Sequence, residues 1–505
     1  MNDGGNSYRQ ILRSTSIIGG ASVINILIGL VRIKVAAVLL GPTGVGLIGL
    51  FSNLIAAAAN VAALGMGTVG TRQIAAANGL GELQAVSVAR RALFWGTLVM
   101  AVVGALVFWL LRGVLATRVL ADSARSNEVG WLALGVGLTV ACGSQGALLN
   151  GMRRIGDLAR ISVYSAALAT VLGVGSLLLW HEKGLLVYLL LTPVISFLVG
   201  GWYVARLPKV HASRTPLRAL AQQWGSLARL GVAFMLAGLA LTLGQLVIRT
   251  LVQRELGAEA LGLFEAAWII SMTYIGFVLR AMGTDYYPRL SAVINDHAAV
   301  NKLVNEQTEV ALLLAGPVFL SMLGLAPWVI ELLYSSKFSE AAVVLRWQVL
   351  GDILKVASWP LGFVILAAGD GRTFLFSDTL AIAVFVLCVW LGLPYLGLQI
   401  TGIGFLLMYT VYLPLVYWLA RRRTGFRWAR NVFVKISCLL ILGTLVAGVG
   451  VWNGFLGGAL GVIFASAWSL VALNRVAHMT TVSGPLARLL IIYLKVRARM
   501  GRWRE

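Results

Sequence analysis

Long apolar runs separated by short polar segments follow one another along almost the whole chain. Their cores lie at about 14–40, 45–70, 92–111, 129–150, 159–180, 184–205, 227–252, 259–284, 307–330, 341–368, 374–393, 397–420, 432–452 and 454–473. Each is long enough to cross roughly 30 Å of hydrocarbon as a helix. Alternation of apolar and polar residues over about 10 positions, the mark of a membrane β-barrel strand, is not the pattern here. The spacing predicts an all-α polytopic membrane protein of about 14 transmembrane helices.

Lys and Arg fall unevenly between the runs. With the N-terminus placed inside, one set of alternate segments carries about 28 of them and the other about seven, so the positive-inside rule puts both termini in the cytoplasm. The densest segments are "RRIGDLAR" (153–160), 206–229, "RRRTGFRWAR" (421–430) and the tail after Arg475. The start, "MNDGGNSYRQILRSTS", is polar and unlike a secretory signal peptide. The end, "GPLARLLIIYLKVRARMGRWRE", is basic and amphipathic and is expected to lie on the inner leaflet, drawn to anionic head groups.

The runs repeat. "LGPTGVGL" (40–47) matches "LGAEALGL" (256–263), with Gly41 on Gly257 and Gly46 on Gly262, 216 residues apart. At the same offset Met66-Gly67-Thr68 falls on Met282-Gly283-Thr284, and Gly151 and Arg154 match Gly369 and Arg372 at offset 218. Matches in order at nearly one offset predict a duplicated six-helix unit. Six is even, so both copies have the same topology and are related by a pseudo-two-fold axis along the membrane normal. The expected organisation is an N-lobe at 1–206 (spans 1–6), a cytoplasmic linker at 207–226, a C-lobe at 227–420 (spans 7–12), extra helices at 421–474 (spans 13 and 14) and the basic tail at 475–505. Two like lobes can rock about a shared site and expose it to alternate sides.

Composition narrows the chemistry. Of 505 residues, 59% are hydrophobic and only 12% charged, against about a quarter in soluble proteins. The net charge of +22 would suggest nucleic acid on a soluble chain, but here it gathers in loops beside membrane spans and suits lipid instead. The charges inside spans are therefore the informative ones, since each costs roughly 2.5–3.5 kcal/mol at a helix centre on insertion scales. Asp352 and Lys355 are three apart on one helix face and read as a pair, either self-neutralising or lining a polar cavity. Arg32 and Lys34 point to different sides of the first span. Arg249 is their counterpart in the second copy, and Glu265 is the expected partner of one of these cations.

Arg32, Lys34, Arg249 and Lys355 are the candidate substrate-binding residues, with Asp352 and Glu265 as charge partners or proton-coupling groups. Arg280, Arg346 and Asp378 lie nearer span ends, where snorkelling is the default. Glu306 and Glu309 are read as beginning a helix, its dipole sufficing to hold them. Asn53 and Asn60 are read as interhelical hydrogen-bond donors. The net positive charge within the spans suits an anion such as a phosphate or pyrophosphate.

No Walker-type Gly-x-x-x-x-Gly-Lys-Ser/Thr loop is present. Cys142, Cys388 and Cys438 sit within apolar runs and have no disulfide or metal spacing, so neither a metal site nor a cofactor is expected. The outside loops are too short for a catalytic domain, which argues against an enzyme.

Two stretches carry a resemblance. "GPTGVGLIGLFSNL" (41–54) and above all "LLYSSKFSEAAVVLRWQVLGDILKVASWPLGFVILA" (332–367) resemble Wzx-type flippases of lipid-linked oligosaccharides, within the multidrug/oligosaccharidyl-lipid/polysaccharide exporter superfamily. The pattern here is Ser336-Lys337-Phe338, then Trp347-Gln348, Gly351-Asp352 and Lys355-Val356, and the likeness spans roughly 10–420. It implies two six-helix bundles facing each other in a V around a cationic cavity, and transfer of an undecaprenyl-diphosphate-linked glycan of O-antigen or enterobacterial common antigen type to the periplasmic leaflet. The family motif assigns only Asp352 and Lys355. Many members of this subgroup stop after twelve spans, so spans 13 and 14 are a departure. Related lipid flippases border a groove for the lipid tail with such a pair, and accessory packing is the other reading.

The resemblance makes the lipid-linked oligosaccharide and membrane lipids the expected partners, with polymerase and chain-length proteins of the glycan pathway as further candidates and no nucleic acid. The expected location is a bacterial inner membrane. The rivals are a cation-coupled multidrug exporter of the same superfamily, a membrane glycosyltransferase using the same lipid-linked substrate, and a scaffold for a glycan assembly complex.

Overall fold

A computed structural model describes residues 3–79, 83–207 and 217–479. The middle of the expected linker and the tail from residue 480 onward lie outside them. Among the described residues every regular element is a helix: α1 (Asp3–Ala63), α2 (Met66–Gly79), α3 (Leu83–Leu110), α4 (Arg112–Leu115), α5 (Ser126–Gly151), α6 (Ile155–Trp180), α7 (Leu185–Ala205), α8 (Leu217–Val293), α9 (His297–Leu333), α10 (Ala341–Ala367), α11 (Gly371–Leu396), α12 (Gln399–Thr424), α13 (Arg430–Trp452) and α14 (Gly454–Met479). Short helical turns at Ala116–Leu120, Ser123–Arg125, His181–Gly184 and Ser336–Phe338 connect some of these. Eleven stretches among the described residues are long and apolar enough to cross a membrane. Three of them, Gly19–Ala63, Ile155–Ala205 and Gly238–Arg280, are long enough for two crossings each, as the hydrophobic pattern predicts.

The two longest helices are each broken once. Gly41 interrupts α1 at φ 65°, ψ −168°, and Gly257 interrupts α8 at φ 85°, ψ 176°. This backbone region is accessible essentially to glycine alone, so the residues matched at offset 216 turn the chain in the same way. Pro42 follows the first break, where its missing N–H costs nothing at the start of the next helical piece. Beyond the breaks the copies differ. A turn at Leu64–Gly65, both at positive φ, separates α2 from α1, whereas α8 runs on unbroken to Val293. The sequence pattern ran the second span through this turn; α2 is a separate helix packed on α3 and α5 through Ile74, Leu93 and Leu148.

The chain divides into two compact units. The first comprises Met1–Ala266, Glu331–Ser339 and Val386–Leu398, where α3 packs on α5, and α6 on both α1 and α7. The second comprises Ala267–Ile330, Glu340–Phe385 and Gln399–Glu505, with α10 packed against α12 and α13. α10 is buried along most of its length, and Gly351 and Gly402 bring it close to α12: a Cβ on Gly402 would stand 2.7 Å from the Val344 carbonyl oxygen.

The extra helices α13 and α14 are built into the second unit. Gly324 of α9 meets Gly457, Gly458 and Gly461 of α14 with backbone against backbone. The Trp468 indole N–H donates to the Leu312 carbonyl at 3.2 Å, and its ring fills the space left by Gly316. Glu309 lies more than three turns into α9, so the helix start expected of it is corrected. It is buried and accepts from both Lys435 of α13 at 2.8 Å and Arg475 of α14 at 3.0 Å. Glu306 makes a surface pair with Lys302 instead, at 3.9 Å. Glu309→Ala is expected to cost about 1–3 kcal/mol in a thermal melt, less than a fully buried pair because Arg475 is 43% exposed. Arg475→Ala should cost under about 1 kcal/mol.

At the start of α11, Asp370 accepts from the Thr373 backbone N–H at 3.0 Å and the Thr373 hydroxyl at 2.7 Å, and pairs with Arg423. The two Thr373 bonds and then Arg423 hold its carboxyl down at about 2. Its share of stability is therefore present above the ordinary carboxylate range and is lost as pH falls toward 2.

Candidate functional site

The first unit gathers three of the four expected cations and one carboxylate. Arg32, nine residues before the Gly41 break, reaches across to α7. It donates to the Thr192 hydroxyl at 2.7 Å and the Tyr188 carbonyl at 3.0 Å, and its guanidinium lies 4.3 Å from the Tyr188 ring centroid. The Tyr188 hydroxyl donates back to the Arg32 carbonyl at 3.4 Å. Lys34, on another side of the helix, donates to the Glu331 carbonyl at 3.0 Å. Each cation is thus satisfied by neutral acceptors, and half-buried rather than sealed.

Arg249 and Glu265 are different. The guanidinium Nε donates to Glu265 Oε1 at 2.5 Å and Nη2 to Oε2 at 3.2 Å, the two-pronged geometry that makes Arg–carboxylate bonds strong. Arg249 is 5% exposed and Glu265 1%. Of the cations expected as its partner, Glu265 takes Arg249.

Gly49, at the position 216 before Glu265, lies directly against it. A Cβ there would stand 2.3 Å from Glu265 Cδ and 2.5 Å from Oε1. One turn earlier the same two helical pieces touch through glycine. A Cβ on Gly46 would stand 2.4 Å from the Ala258 carbonyl oxygen, and one on Gly262 would stand 1.8 Å from that of Pro42. Tyr334, 1% exposed, packs its ring at a tilt against Phe338 and leaves its hydroxyl without a partner.

Asp352 and Lys355 lie in the second unit. Their opposite charges still act on each other, but the direct contact expected from the sequence is not made: no ion pair within 4.0 Å joins them. Asp352, fully buried, accepts from the Ser271 hydroxyl at 2.7 Å and the Tyr274 hydroxyl at 2.5 Å, both on α8, while its Oδ1 is free of protein donors. Lys355 turns toward the Met272 sulfur at 3.4 Å and toward the faces of Phe405 and Tyr409, at 5.7 and 5.8 Å. A shared helix face sets where two Cβ atoms start, and the neighbouring helices decide where the long side chain ends. Asp352→Asn keeps an acceptor for both hydroxyls and should melt near wild type. Asp352→Ala orphans them and should cost about 1–3 kcal/mol in the same measurement.

Arg346 does not snorkel. It is 5% exposed, donates through Nε to the Leu323 carbonyl at 3.2 Å, and lies against Gly450 of α13. Asp378 accepts from the Tyr412 hydroxyl at 2.8 Å, and Arg280 donates to the Gly276 carbonyl at 3.1 Å. Asn60 donates to Thr242 at 3.1 Å, the interhelical bond expected of it, whereas Asn53 Oδ1 is buried without a donor. Tyr188, Thr192, Ser271, Tyr274 and Tyr334 were not singled out in the sequence. Only Tyr334 carried a signal, lying inside the "LLYSSKF" motif.

A cavity of about 360 Å³ in the first unit is lined by small and hydroxyl residues with Asn60, Met66, Thr97, Met100, Thr139 and Ser144, and none of the expected cations lines it.

A sequence-family profile described as "Polysaccharide biosynthesis protein" matches residues 35–343. The Lipid III flippase of Escherichia coli (strain K12) is 24% identical over 413 residues, covering 80% of this chain and 97% of that protein, and the Lipid III flippase of Shigella flexneri matches to the same extent. Among solved structures, the lipid II flippase MurJ in an inward closed conformation superposes with a TM-score of 0.65 at 10% identity, covering 90% of this chain and 98% of that one. The inward-facing conformation of a multidrug resistance MATE family transporter of the MOP superfamily gives 0.64 at 17% identity, covering 79% and 94%. The chain has the fold of these transporters.

Proposed function

Because the chain belongs to the family of polysaccharide biosynthesis proteins, we propose that it is a transporter that moves an undecaprenyl-diphosphate-linked oligosaccharide from the cytoplasmic to the periplasmic leaflet of a bacterial inner membrane by alternating access. The observation that carries this reading is that Arg32, Lys34 and Arg249 are three cations placed within the membrane spans of one compact unit, with Glu265 the counter-ion of Arg249. Cations kept in hydrocarbon at such cost mark a path for charge, and guanidinium groups match phosphate oxygens two at a time. Lipid III flippases that this chain covers over 97% of their length support the same substrate class.

Arg32, Lys34, Arg249 and Lys355 stabilise the diphosphate or acidic sugars. Glu265 balances Arg249 between substrates, and Asp352, held by hydroxyls and not by Lys355, is the group open to a coupling proton. The two repeats, 1–206 and 227–420, are the like parts that such a cycle needs, and both termini are cytoplasmic. An O-antigen or enterobacterial common antigen type repeat unit is the cargo, handed on to the polymerase and chain-length proteins of its pathway.

The test is leaflet-resolved accumulation of lipid-linked oligosaccharide in cells depleted of the protein. Build-up on the cytoplasmic leaflet, rescued by wild type and at least about tenfold more slowly by Lys355→Ala, is expected from the loss of one charge-assisted hydrogen bond. Build-up on the periplasmic leaflet would point to a polymerase or ligase. Drug sensitivity with no glycan phenotype would point to a multidrug exporter.

A further inference from the structure

The cavity of about 360 Å³ in the first unit takes no part in the handling of charge, since none of the residues lining it is charged. Its size falls within the range of small-molecule sites, roughly 300–1,000 Å³. Its walls come from α1, α2, α3, α5 and α8, all within Met1–Ala266. Three glycines keep it open. The Cβ positions of Gly67, Gly143 and Gly238 each meet nothing within 4 Å, so three helices present bare backbone to the same space.

Two of these helices bring unpaired donors. The Leu64–Gly65 turn starts α2 at the cavity wall, where Gly65, Met66, Gly67 and Thr68 all line it. The Gly65 carbonyl accepts from the N–H groups of Thr68 and Val69, at 3.1 and 3.2 Å, and among the described residues no carbonyl accepts from those of Met66 and Gly67. Such a helix start offers its free N–H groups and the positive end of its dipole to an acceptor. Thr97 of α3 lines the same cavity. It is 4% exposed, and its hydroxyl is buried without a partner. An unmade buried hydrogen bond is costly, so an occupant that accepts one is favoured there.

The matching position 216 residues later has neither feature. The Trp359 ring stands 3.1 Å from the Cβ position of Gly283, the counterpart of Gly67, and α8 passes this point as continuous helix with no start. The cavity is therefore not a by-product of the repeat.

With no charge in its walls the cavity suits an uncharged occupant, because a buried ion without a counter-charge is strongly unfavourable. The occupant must offer an acceptor to the α2 N–H groups and Thr97, and an apolar group to walls that include Ala56, Ala59, Met100 and Met235. An acetamido group has both, in its carbonyl oxygen and its methyl. Resting on the reading of the cargo as a lipid-linked glycan, we propose that this cavity is a sugar subsite, in which an N-acetylated sugar of the cargo is held through its amide carbonyl by the start of α2 and the Thr97 hydroxyl. The membrane-embedded cations then serve the diphosphate, and this neutral site reads the glycan.

The test is saturation-transfer NMR on purified full-length protein in lipid nanodiscs, with free N-acetylglucosamine as the probe. The acetyl methyl should receive the most saturation, and glucose at the same concentration should receive several-fold less. Thr97→Val keeps the shape and removes a hydroxyl without a partner, so it should melt at or above wild type, yet lower the N-acetylglucosamine signal about fivefold through the loss of one hydrogen bond. Gly143→Leu fills the open space on α5 with a better helix former and should remove the signal. If Gly143→Leu does not fold, Thr97→Val carries the comparison. No saturation of N-acetylglucosamine, equal saturation of glucose, a signal unchanged in Thr97→Val, or displacement by inorganic phosphate would each overturn the subsite. The leaflet assay keeps this result apart from the reading it rests on. Cytoplasmic build-up in depleted cells, from a protein that binds no sugar, would overturn the subsite and leave the flippase standing. Sugar binding that Thr97→Val weakens, in a protein whose depletion causes no build-up, would support the sugar site and overturn the flippase.

Discussion

Gly262→Leu is expected to abolish both the folded yield and the transport activity of the protein. A Cβ at this position would stand 1.8 Å from the Pro42 carbonyl oxygen, 2.5 Å from its carbonyl carbon and 2.9 Å from its Cα, all of them backbone. Side chains can yield to a new atom by changing rotamer, but the backbone of a helix start can yield only by moving the helix. Overpacking of an ordinary core site costs about 1–3 kcal/mol, and a clash with backbone at this distance belongs at or above the upper limit. Gly46→Ala, 2.4 Å from the Ala258 carbonyl oxygen, should behave in the same way to a lesser degree. Gly448→Ala is the control: nothing lies within 4 Å of its Cβ position, and helix propensity should make it neutral or slightly stabilising. Size-exclusion yield and melting temperature of purified protein, with the leaflet assay in cells, would check all three. Normal yield and activity from Gly262→Leu would mean that the two helical pieces need not stay in contact.

Glu265→Ala should be the most damaging single change of charge. It leaves the Arg249 guanidinium 5% exposed without its carboxylate, a loss of about 3–5 kcal/mol for a buried pair broken on one side. Glu265→Gln retains a hydrogen-bond acceptor and should lose less. The informative variant is the double replacement Arg249→Met with Glu265→Leu, because exchanging a whole buried ion pair for apolar residues of similar volume is often neutral or stabilising. The double variant should therefore melt near wild type and yet fail to transport. Recovery of both stability and transport would reduce the pair to a packing device and remove Arg249 from the substrate path. Loss of stability in the double variant beyond that in Glu265→Ala would show that the site cannot be filled by apolar side chains, and would leave the transport defect uninterpretable in terms of charge; Arg249→Lys, which keeps the pair, would then carry the comparison.

Much of the architecture was legible because it is written in local patterns. A run of about 20 apolar residues predicts a span whatever lies beside it. Gly41 and Gly257 stood out through their shared offset, and both proved to be the points where a long helix is broken. The pairing of Glu265 with one of the intramembrane cations could be anticipated, since a buried carboxylate in that company must be paired. The failures have a common origin in contacts between residues far apart in the chain. Asp352 and Lys355 share a face, but Ser271 and Tyr274, some eighty positions earlier, claim the carboxylate, and aromatic faces of α12 claim the ammonium. Glu309 looked like a residue at a helix start because nothing in its neighbourhood announces Lys435 or Arg475. Arg346 looked free to snorkel because the helix that covers it, α13, lies outside the repeat. The start of α2 was missed because Leu64 and Gly65 make a turn within a pattern that stays apolar on both sides.

Gly49 and Glu265, 216 positions apart, touch each other, as Gly46 and Gly262 do at the same separation. Two glycines can face each other at contact distance. Two glutamates could not, since their side chains would claim one volume and their charges would repel. The bare backbone at Gly49 is therefore the vacancy that the Glu265 carboxylate fills, and residue 49 sets what residue 265 can be: any side chain added at the first position competes for the space of the charge at the second.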